Sequence, residues 1–312
     1  MTTIWLIGCG NIGFRHLQAM LAMPEPADIL IIEPAEALHA RITTEIAKPQ
    51  AAAHRVSLVA AMPPSGPVDL AVVATSAPPR AAIVRALTEG PRPRAVVLEK
   101  VLAQTDAELQ SMAADLAAIG STAHVNCPRR YFPGYQKLRA ALAKAGPLSI
   151  EVTGSQFGLG SNAVHFLDLL EYLNDSTLTL VDATGLDKGS RDSKRAGFQE
   201  IYGTLEARLA NGAGLRVTCA DEPELVLHLK VSTADGRSFT IDEAGSRITG
   251  HEGEAETFEI RFVSQIPEIY ADALAGHCDL TPMADSLRQH ALYLGALRSH
   301  FGLASDQPVP VS

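Results

Sequence analysis

Up to about residue 125, short apolar runs alternate with stretches of helical character. The runs fall at residues 4–7, 29–32, 54–59, 69–74, 95–98 and 122–125. Those at 69–74 and 95–98 are continuous rather than alternating, as in strands buried on both faces of a parallel sheet. Between the runs, residues 14–22, 35–47, 80–88 and 105–119 suit helices, while proline-rich 62–67 and 91–93 read as breaks. This alternation of strand and helix predicts a doubly wound parallel sheet.

The pattern changes after Asn126. Residues 134–145 suit a helix that stops at Gly146-Pro147, and residues 148–153 alternate as a half-buried strand does. Residues 158–162 read as a glycine-rich polar loop. The helix after it, 163–173, clusters its apolar residues Phe166, Leu167, Leu169, Leu170 and Leu173. Strand candidates follow at 178–183, 200–210, 214–220, 225–233 and 238–242. Turns at Asn211-Gly212, Ala234-Asp235-Gly236 and Glu243-Ala244-Gly245 imply an antiparallel sheet that leaves one face free for a partner. Helices are expected near 267–275 and 283–301. The expected fold class is α/β, with a doubly wound parallel sheet followed by an α+β domain built on a mostly antiparallel sheet. The expected domains are residues 1–125 and 126–312, with the C-terminal helix free to pack back on the first.

Composition narrows the class. The 312 residues are 46% hydrophobic and 20% charged, as in soluble globular proteins. A net charge of −9 argues against a nucleic-acid surface. No apolar run approaches the roughly 18 residues of a membrane span, and the start lacks the features of a signal peptide, so a cytoplasmic protein without a membrane partner is expected. The four cysteines, Cys9, Cys127, Cys219 and Cys278, are widely separated and supply neither a disulfide framework nor a metal site.

Candidate chemistry begins at the first strand end. The residues Gly8-Cys9-Gly10-Asn11-Ile12-Gly13 carry the spacing G-x-G-x-x-G between an apolar run and a helix. The first glycine permits a tight turn, the second lets backbone approach a pyrophosphate, and the third lets helix pack on strand. Glu33 ends the second run, 20 residues after Gly13. A carboxylate there accepts hydrogen bonds from ribose hydroxyls and repels a 2′-phosphate, which favours NAD over NADP; it also suits the start of the next helix. Thr75 and Ser76 follow a buried strand, where ligands bind in such sheets or where a helix is capped. Glu99 and Lys100 occupy the equivalent place on the next strand, and the ammonium there could serve a nicotinamide ribose or a substrate hydroxyl. His165 lies near the start of its helix beside the glycine-rich stretch. Residues 187–199 contain Ser193-Lys194-Arg195, either a solvated loop or a clamp for an anionic group.

These residues, in order, carry a resemblance. Gly8, Gly10 and Gly13, then Ala74-Thr75, Glu99-Lys100, Arg129-Arg130-Tyr131-Phe132 and His165-Phe166-Leu167-Asp168, resemble the glucose-fructose oxidoreductase / inositol dehydrogenase family over most of the chain. The resemblance implies an N-terminal Rossmann domain and a C-terminal domain whose large open sheet serves homo-oligomer contacts. It implies NAD(P)-dependent oxidation of a secondary hydroxyl on a sugar, cyclitol or nucleotide-sugar to a ketone, or the reverse, with Glu33 favouring NAD. The family's Glu-Lys-Pro motif falls on Glu99-Lys100-Val101, with the proline lost at a point where members often have an unusual peptide. Its catalytic histidine falls on His165, as acid/base, with Lys100 stabilising the oxygen. An aspartate common four residues earlier is Ser161 here, beside Asn162, and a common histidine after the Ala-Thr motif is Arg80. The stretches around Ser161-Asn162 and Ser193-Lys194-Arg195 are similar to members found with bacterial surface-polysaccharide and nucleotide-sugar genes. Arg130, Ser161, Asn162, Lys194 and Arg195 are thereby the expected substrate contacts. The change at Ser161 motivates another class, a non-catalytic sugar sensor that keeps the cofactor. An epimerase or lyase that recycles its NAD is a third.

Overall fold

The computed structural model describes residues 1–189, 191–193 and 196–312. In chain order the first half runs β1 (Thr2–Ile7), α1 (Asn11–Leu21), β2 (Ala27–Ile32), α2 (Glu36–Ile46), β3 (Arg55–Val59), β4 (Leu70–Val73), α3 (Arg80–Glu89), β5 (Ala95–Leu98), α4 (Asp106–Ala118) and β6 (Thr122–Val125). The second half runs α5 (Pro133–Leu142), β7 (Leu148–Ser155), α6 (Leu159–Asn174), β8 (Leu178–Asp182), β9 (Arg191–Asp192), β10 (Gln199–Glu200), β11 (Gly203–Leu209), β12 (Gly214–Ala220), β13 (Val226–Thr233) and β14 (Ser238–Asp242). It ends with β15 (Arg247–Thr249), β16 (Ala255–Thr257), α7 (Glu268–Ala275), β17 (Thr281–Pro282) and α8 (Met283–Phe301). By its contacts the chain divides into two compact units. The first holds residues 1–103, 107–128 and 261–286, and the second holds 104–106, 129–260 and 287–312.

The first unit contains a seven-stranded sheet in the order β17-β6-β5-β4-β1-β2-β3. Every pair is parallel except the antiparallel β17–β6 pair. All four residues of β4 and of β5 are buried, which is why these runs read as continuous rather than alternating. From β1 the chain moves to β2 and β3 on one side, then returns to β4 on the other. The strand order therefore reverses between β1 and β4, and ligands bind outside the carboxyl ends of strands at such a point. Gly8 follows β1 and Thr75 follows β4, so the glycine turn and the Thr75 segment are neighbours at the reversal.

The second unit is built on an eight-stranded sheet in the order β16-β15-β14-β13-β7-β12-β11-β8. All its pairs are antiparallel except β12 with β7. That parallel pair departs from the hairpin expectation, because β7 is followed by helix α6 instead of a tight turn. In β7, Leu148, Ile150 and Val152 are buried while Ser149, Glu151 and Thr153 are exposed. Helix α6 packs on β7 and β12, burying Phe166, Leu167, Leu169 and Leu170. The opposite face carries Glu151, Arg216 and Lys230, with Lys230 opposite Glu151 across the ladder and Arg216 paired with Glu206.

The structure corrects several local expectations. Residues 158–162 are not a loop: Gly158 caps α6 in a left-handed conformation, φ 74°, and the helix begins at Leu159. The glycine at 160, a loop signal in sequence, lies in the first turn of the helix, where a Cβ would come within 3.1 Å of Val311 Cγ1. The run at 200–210 is broken before Gly203, which takes φ 95° and approaches Asp187 so closely that a Cβ would lie 2.6 Å from the Asp187 nitrogen. Strands β15 and β16 were not foreseen; they are three residues each, and β16 is exposed throughout, so neither has an alternation to detect. Among the described residues no helix is long and apolar enough to cross a membrane.

Gly154 tests the packing of this sheet. A Cβ there would lie 2.0 Å from the Val226 carbonyl oxygen. Gly154→Ala is expected to lower unfolding free energy by about 2 kcal/mol or more, measured by chemical denaturation. A change under about 0.5 kcal/mol would show that the β7–β13 ladder yields to the methyl group.

Candidate functional site

In the first unit the glycine turn separates three physical roles. The Gly8 N–H donates to the Ile32 carbonyl at 2.9 Å, its φ is 85°, and a Cβ there would lie 2.9 Å from Thr75 Cγ2. A Cβ on Gly13 would lie 2.1 Å from the Gly8 oxygen, so only glycine lets α1 close against the turn. Gly10 is the residue before α1, and a Cβ on it would meet nothing within 4 Å. Helix α1 has no side-chain cap and no acidic residue in its first turn, so its leading N–H groups suit an anion. Thr75 Oγ1 is buried without a hydrogen-bond partner. Open space at Gly10, an uncapped helix start and an orphaned hydroxyl fit the phosphates of a dinucleotide.

Glu33 is 6% exposed and joins this turn to the next helix. Its Oε2 accepts the Cys9 N–H at 2.6 Å and its Oε1 accepts the Ala35 N–H at 2.8 Å. The carboxylate thus serves the start of α2 and the glycine turn together. The Cys9 thiol is pushed up to about 12 by burial, and secondarily by Glu33, so it stays protonated and inert at neutral pH. Asn11 is exposed and accepts from Arg41 at 3.4 Å, while the Arg41 guanidinium stacks 3.7 Å from the centroid of Phe14. Ile12 is half-buried and Ser76 is exposed.

The segment after β5 is held from two sides. The Glu99 carboxylate, 3% exposed, accepts from His16 Nε2 at 2.9 Å and Asn126 Nδ2 at 2.6 Å, both on Oε1. Its Oε2 accepts the Lys100 backbone N–H at 3.2 Å. The other ring nitrogen of His16 lies 2.8 Å from the Tyr270 hydroxyl. Burial alone would raise the Glu99 pKa, but His16, the Lys100 charge and Asn126 outweigh it and hold it below the ordinary value of 4.5. Opposite, the fully buried Arg80 donates to the carbonyls of Thr75, Val101 and Leu102. Burial lowers its pKa to about 10, with Glu99 opposing, so it remains charged at neutral pH. The Lys100–Val101 peptide is cis, at the place of the lost proline. Lys100 is half-buried.

Sequence reasoning noted Arg80 only as a departure, and passed over His16, Asn126 and Tyr270. His16 lies one helical turn beyond Gly13, which is a spacing signal; Tyr270 is 254 residues from it and offers none.

In the second unit, α6 places Ser161 and Asn162 one turn before His165, on one face. Ser161 Oγ donates to the Gly158 oxygen at 3.2 Å and Asn162 Nδ2 to the Phe157 oxygen at 2.6 Å, so both side chains shape the helix start. His165 is half-buried. Asp168, one turn further and fully buried, receives a forked pair from Arg130, with Nη2 at 2.7 Å and Nε at 3.0 Å. Arg130 is thus tied to an internal carboxylate rather than projecting alone. Arg129 makes a similar fork to Glu243 at 2.7 and 2.9 Å. A cavity of about 340 Å³ opens at the β7–α6 turn, lined by Gln156, Ser161, Phe198, Glu200 and Tyr202 among others. Gln156 takes a left-handed φ of 54° there. Lys194 and Arg195, expected to clamp an anion, lie outside the described residues. The described residues contain no group of three or more His, Cys, Asp or Glu able to hold a metal.

No family model matches the chain, and neither does any curated protein. Solved structures do. UDP-N-acetylglucosamine 3-dehydrogenase GnnA from Acidithiobacillus ferrooxidans is 18% identical over 97% of each chain, with a TM-score of 0.69. An oxidoreductase from Agrobacterium radiobacter, in complex with NAD+, L-tartaric acid and magnesium, is 17% identical over 96% of each chain, with a TM-score of 0.72. Biliverdin reductase from Synechocystis, in complex with biliverdin and NADP+, is 16% identical over 96% of this chain and 98% of its own, with a TM-score of 0.72. At these identities the likeness is one of fold.

Two outcomes follow from the geometry. Gly13→Ala should destabilise the protein without any cofactor, whereas Gly10→Ala should leave apo stability within about 0.5 kcal/mol and weaken any binding of a nicotinamide dinucleotide; thermal melts and calorimetric titration separate the two. For Glu99, a folded-state pKa below 4.5 means its stabilising contribution is complete above pH 4.5 and is lost as pH falls through the folded-state value. Unfolding free energy should therefore fall on acidification below about pH 4.5, and Glu99→Gln should flatten part of that slope. An unchanged slope in the variant would remove Glu99 as a source.

Proposed function

We propose that the chain is an NAD-dependent oxidoreductase of the glucose-fructose oxidoreductase / inositol dehydrogenase type. It oxidises a secondary hydroxyl of a sugar, cyclitol or nucleotide-sugar to a ketone, or runs the reverse reduction. The observation that carries this is in the first unit. The glycine turn, Glu33 and the Glu99-Lys100 segment stand at the carboxyl ends of β1, β2 and β5 in one parallel sheet. The fold neighbours add support, since GnnA is a UDP-N-acetylglucosamine 3-dehydrogenase and the Agrobacterium protein is an oxidoreductase complexed with NAD+.

The residues divide the work. Gly8 to Gly13 and the start of α1 hold the pyrophosphate, with Thr75 and Ser76 flanking it. Glu33 keeps lone pairs beyond those used by Cys9 and Ala35, and these accept ribose hydroxyls; its charge disfavours a 2′-phosphate, which selects NAD. The bound nicotinamide supplies the hydride acceptor. His165 takes the hydroxyl proton as the alcohol is oxidised, a role suited to an imidazole near neutrality. Lys100 donates a hydrogen bond to the same oxygen and stabilises its developing negative charge. Ser161 and Asn162 position the sugar ring, while Lys194 or Arg195 holds an anionic group on it.

The test is turnover with sugars and nucleotide-sugars, followed at 340 nm with NAD and NADP in parallel and with product analysis. His165→Ala and Lys100→Met are each expected to cut kcat about 100-fold or more. Near-normal turnover in His165→Ala with saturating substrate would reject its role. Tight NAD binding without reduction or product would favour a sensor, and an isomerised or eliminated product without net reduction would favour NAD recycling.

A further inference from the structure

We propose that His16 and Glu99 are positioning residues for Lys100, tying its backbone to helix α1 and so to the glycine turn. The proposal rests on the reading in which Lys100 serves the reacting oxygen. His16 sits on α1 one turn beyond Gly13 and is fully buried. A ring nitrogen facing a carboxylate at 2.9 Å carries a proton, so Nε2–H donates to Glu99, while Nδ1 lies 2.8 Å from the Tyr270 hydroxyl, which also reaches the His16 carbonyl oxygen at 3.3 Å. The Glu99 carboxylate uses its two oxygens differently. Oε1 is set by His16 and Asn126, and Oε2 then holds the Lys100 N–H at 3.2 Å.

The next two carbonyls, of Val101 and Leu102, are gripped by Arg80. Lys100 is therefore held at its own amide through α1 and beyond it through α3. Buried polar pairs of this kind add little stability over apolar residues of equal volume, so stability alone does not account for one placed against Lys100. A displacement of α1 reaches the Lys100 amide through the His16–Glu99 pair. The link makes cofactor seating and amine position two readings of one arrangement.

The experiment uses the full chain with His16→Leu, His16→Gln, Lys100→Met and the two doubles, measuring kcat, KM and thermal midpoint. His16→Leu should lower kcat roughly 10- to 100-fold with KM changed less than about 3-fold. His16→Gln keeps an N–H donor for Glu99 and should recover to within about 5-fold of the parent. In the Lys100→Met background, His16→Leu should cost less than about 2-fold, because the group it positions is gone. An equal loss in both backgrounds, or glutamine no better than leucine, would overturn the proposal in favour of a structural role. Should His16→Leu fail to fold, Tyr270→Phe keeps the ring packing and removes the partner of Nδ1; its kcat loss must likewise vanish with Lys100→Met, and persistence overturns the idea.

If the parent protein turns over no substrate, the functional reading fails by itself. Lys100 placement is then read from its acylation rate by mass spectrometry, relative to exposed Lys137. A changed ratio in His16→Leu, restored in His16→Gln, upholds positioning, and an unchanged ratio overturns it.

Discussion

Strand β1 is bonded on both edges by parallel strands, β2 and β4, and the first unit depends on that arrangement. Parallel neighbours cannot be joined by tight turns, so the chain leaves β1 through α1 and reaches β4 only after passing β2 and β3. The strand order then reverses beside β1, and no crossover covers the carboxyl ends there. Gly13 makes the exit possible, since any larger residue would strike the Gly8 carbonyl. The turn, Thr75 and the segment after β5 are consequences of this pairing, each arriving at the same sheet edge because its strand runs in the same direction.

The second unit solves a different problem. Its large sheet has one apolar face, and α6 supplies the cover, buried along Phe166 to Leu170. A helix that must begin immediately after β7 needs a sharp reversal, which Gln156 and Gly158 provide with left-handed backbones. Ser161 and Asn162 are drawn into capping that reversal. His165 follows one turn later on the same face, so its place is set by the demands of the helix start.

Several charged groups away from solvent are held in forks and networks in both units. Arg80 is surrounded by carbonyls, Arg129 and Arg130 each grip a carboxylate, and Glu99 is shared by three donors. An unpaired buried charge would cost several kcal/mol, so each of these groups specifies its neighbours' positions closely. This gives the segment around Lys100 a definite backbone although it belongs to no regular element.

Local sequence determined what depends on local forces. The continuous runs at β4 and β5 announced strands buried on both faces, the spacing of Gly8, Gly10 and Gly13 announced a tight strand-to-helix turn, and the alternation in β7 announced its apolar face. Glu99 and Lys100 were legible as candidates because they follow a strand end, and His165 because it follows a glycine-rich stretch. Tertiary structure alone decided the rest. The parallel pairing of β7 with β12, the helical start at Leu159 and the break before Gly203 each depend on a close approach by a distant segment. Glu99 is met by residues 16 and 126, residue 270 in turn meets His16, and the partners of Arg130 and Arg129 are residues 168 and 243. Hydrophobic period and turn chemistry act over a few residues, whereas a buried polar group is satisfied by whatever the folded chain brings within hydrogen-bond reach, and sequence separation carries no record of that distance.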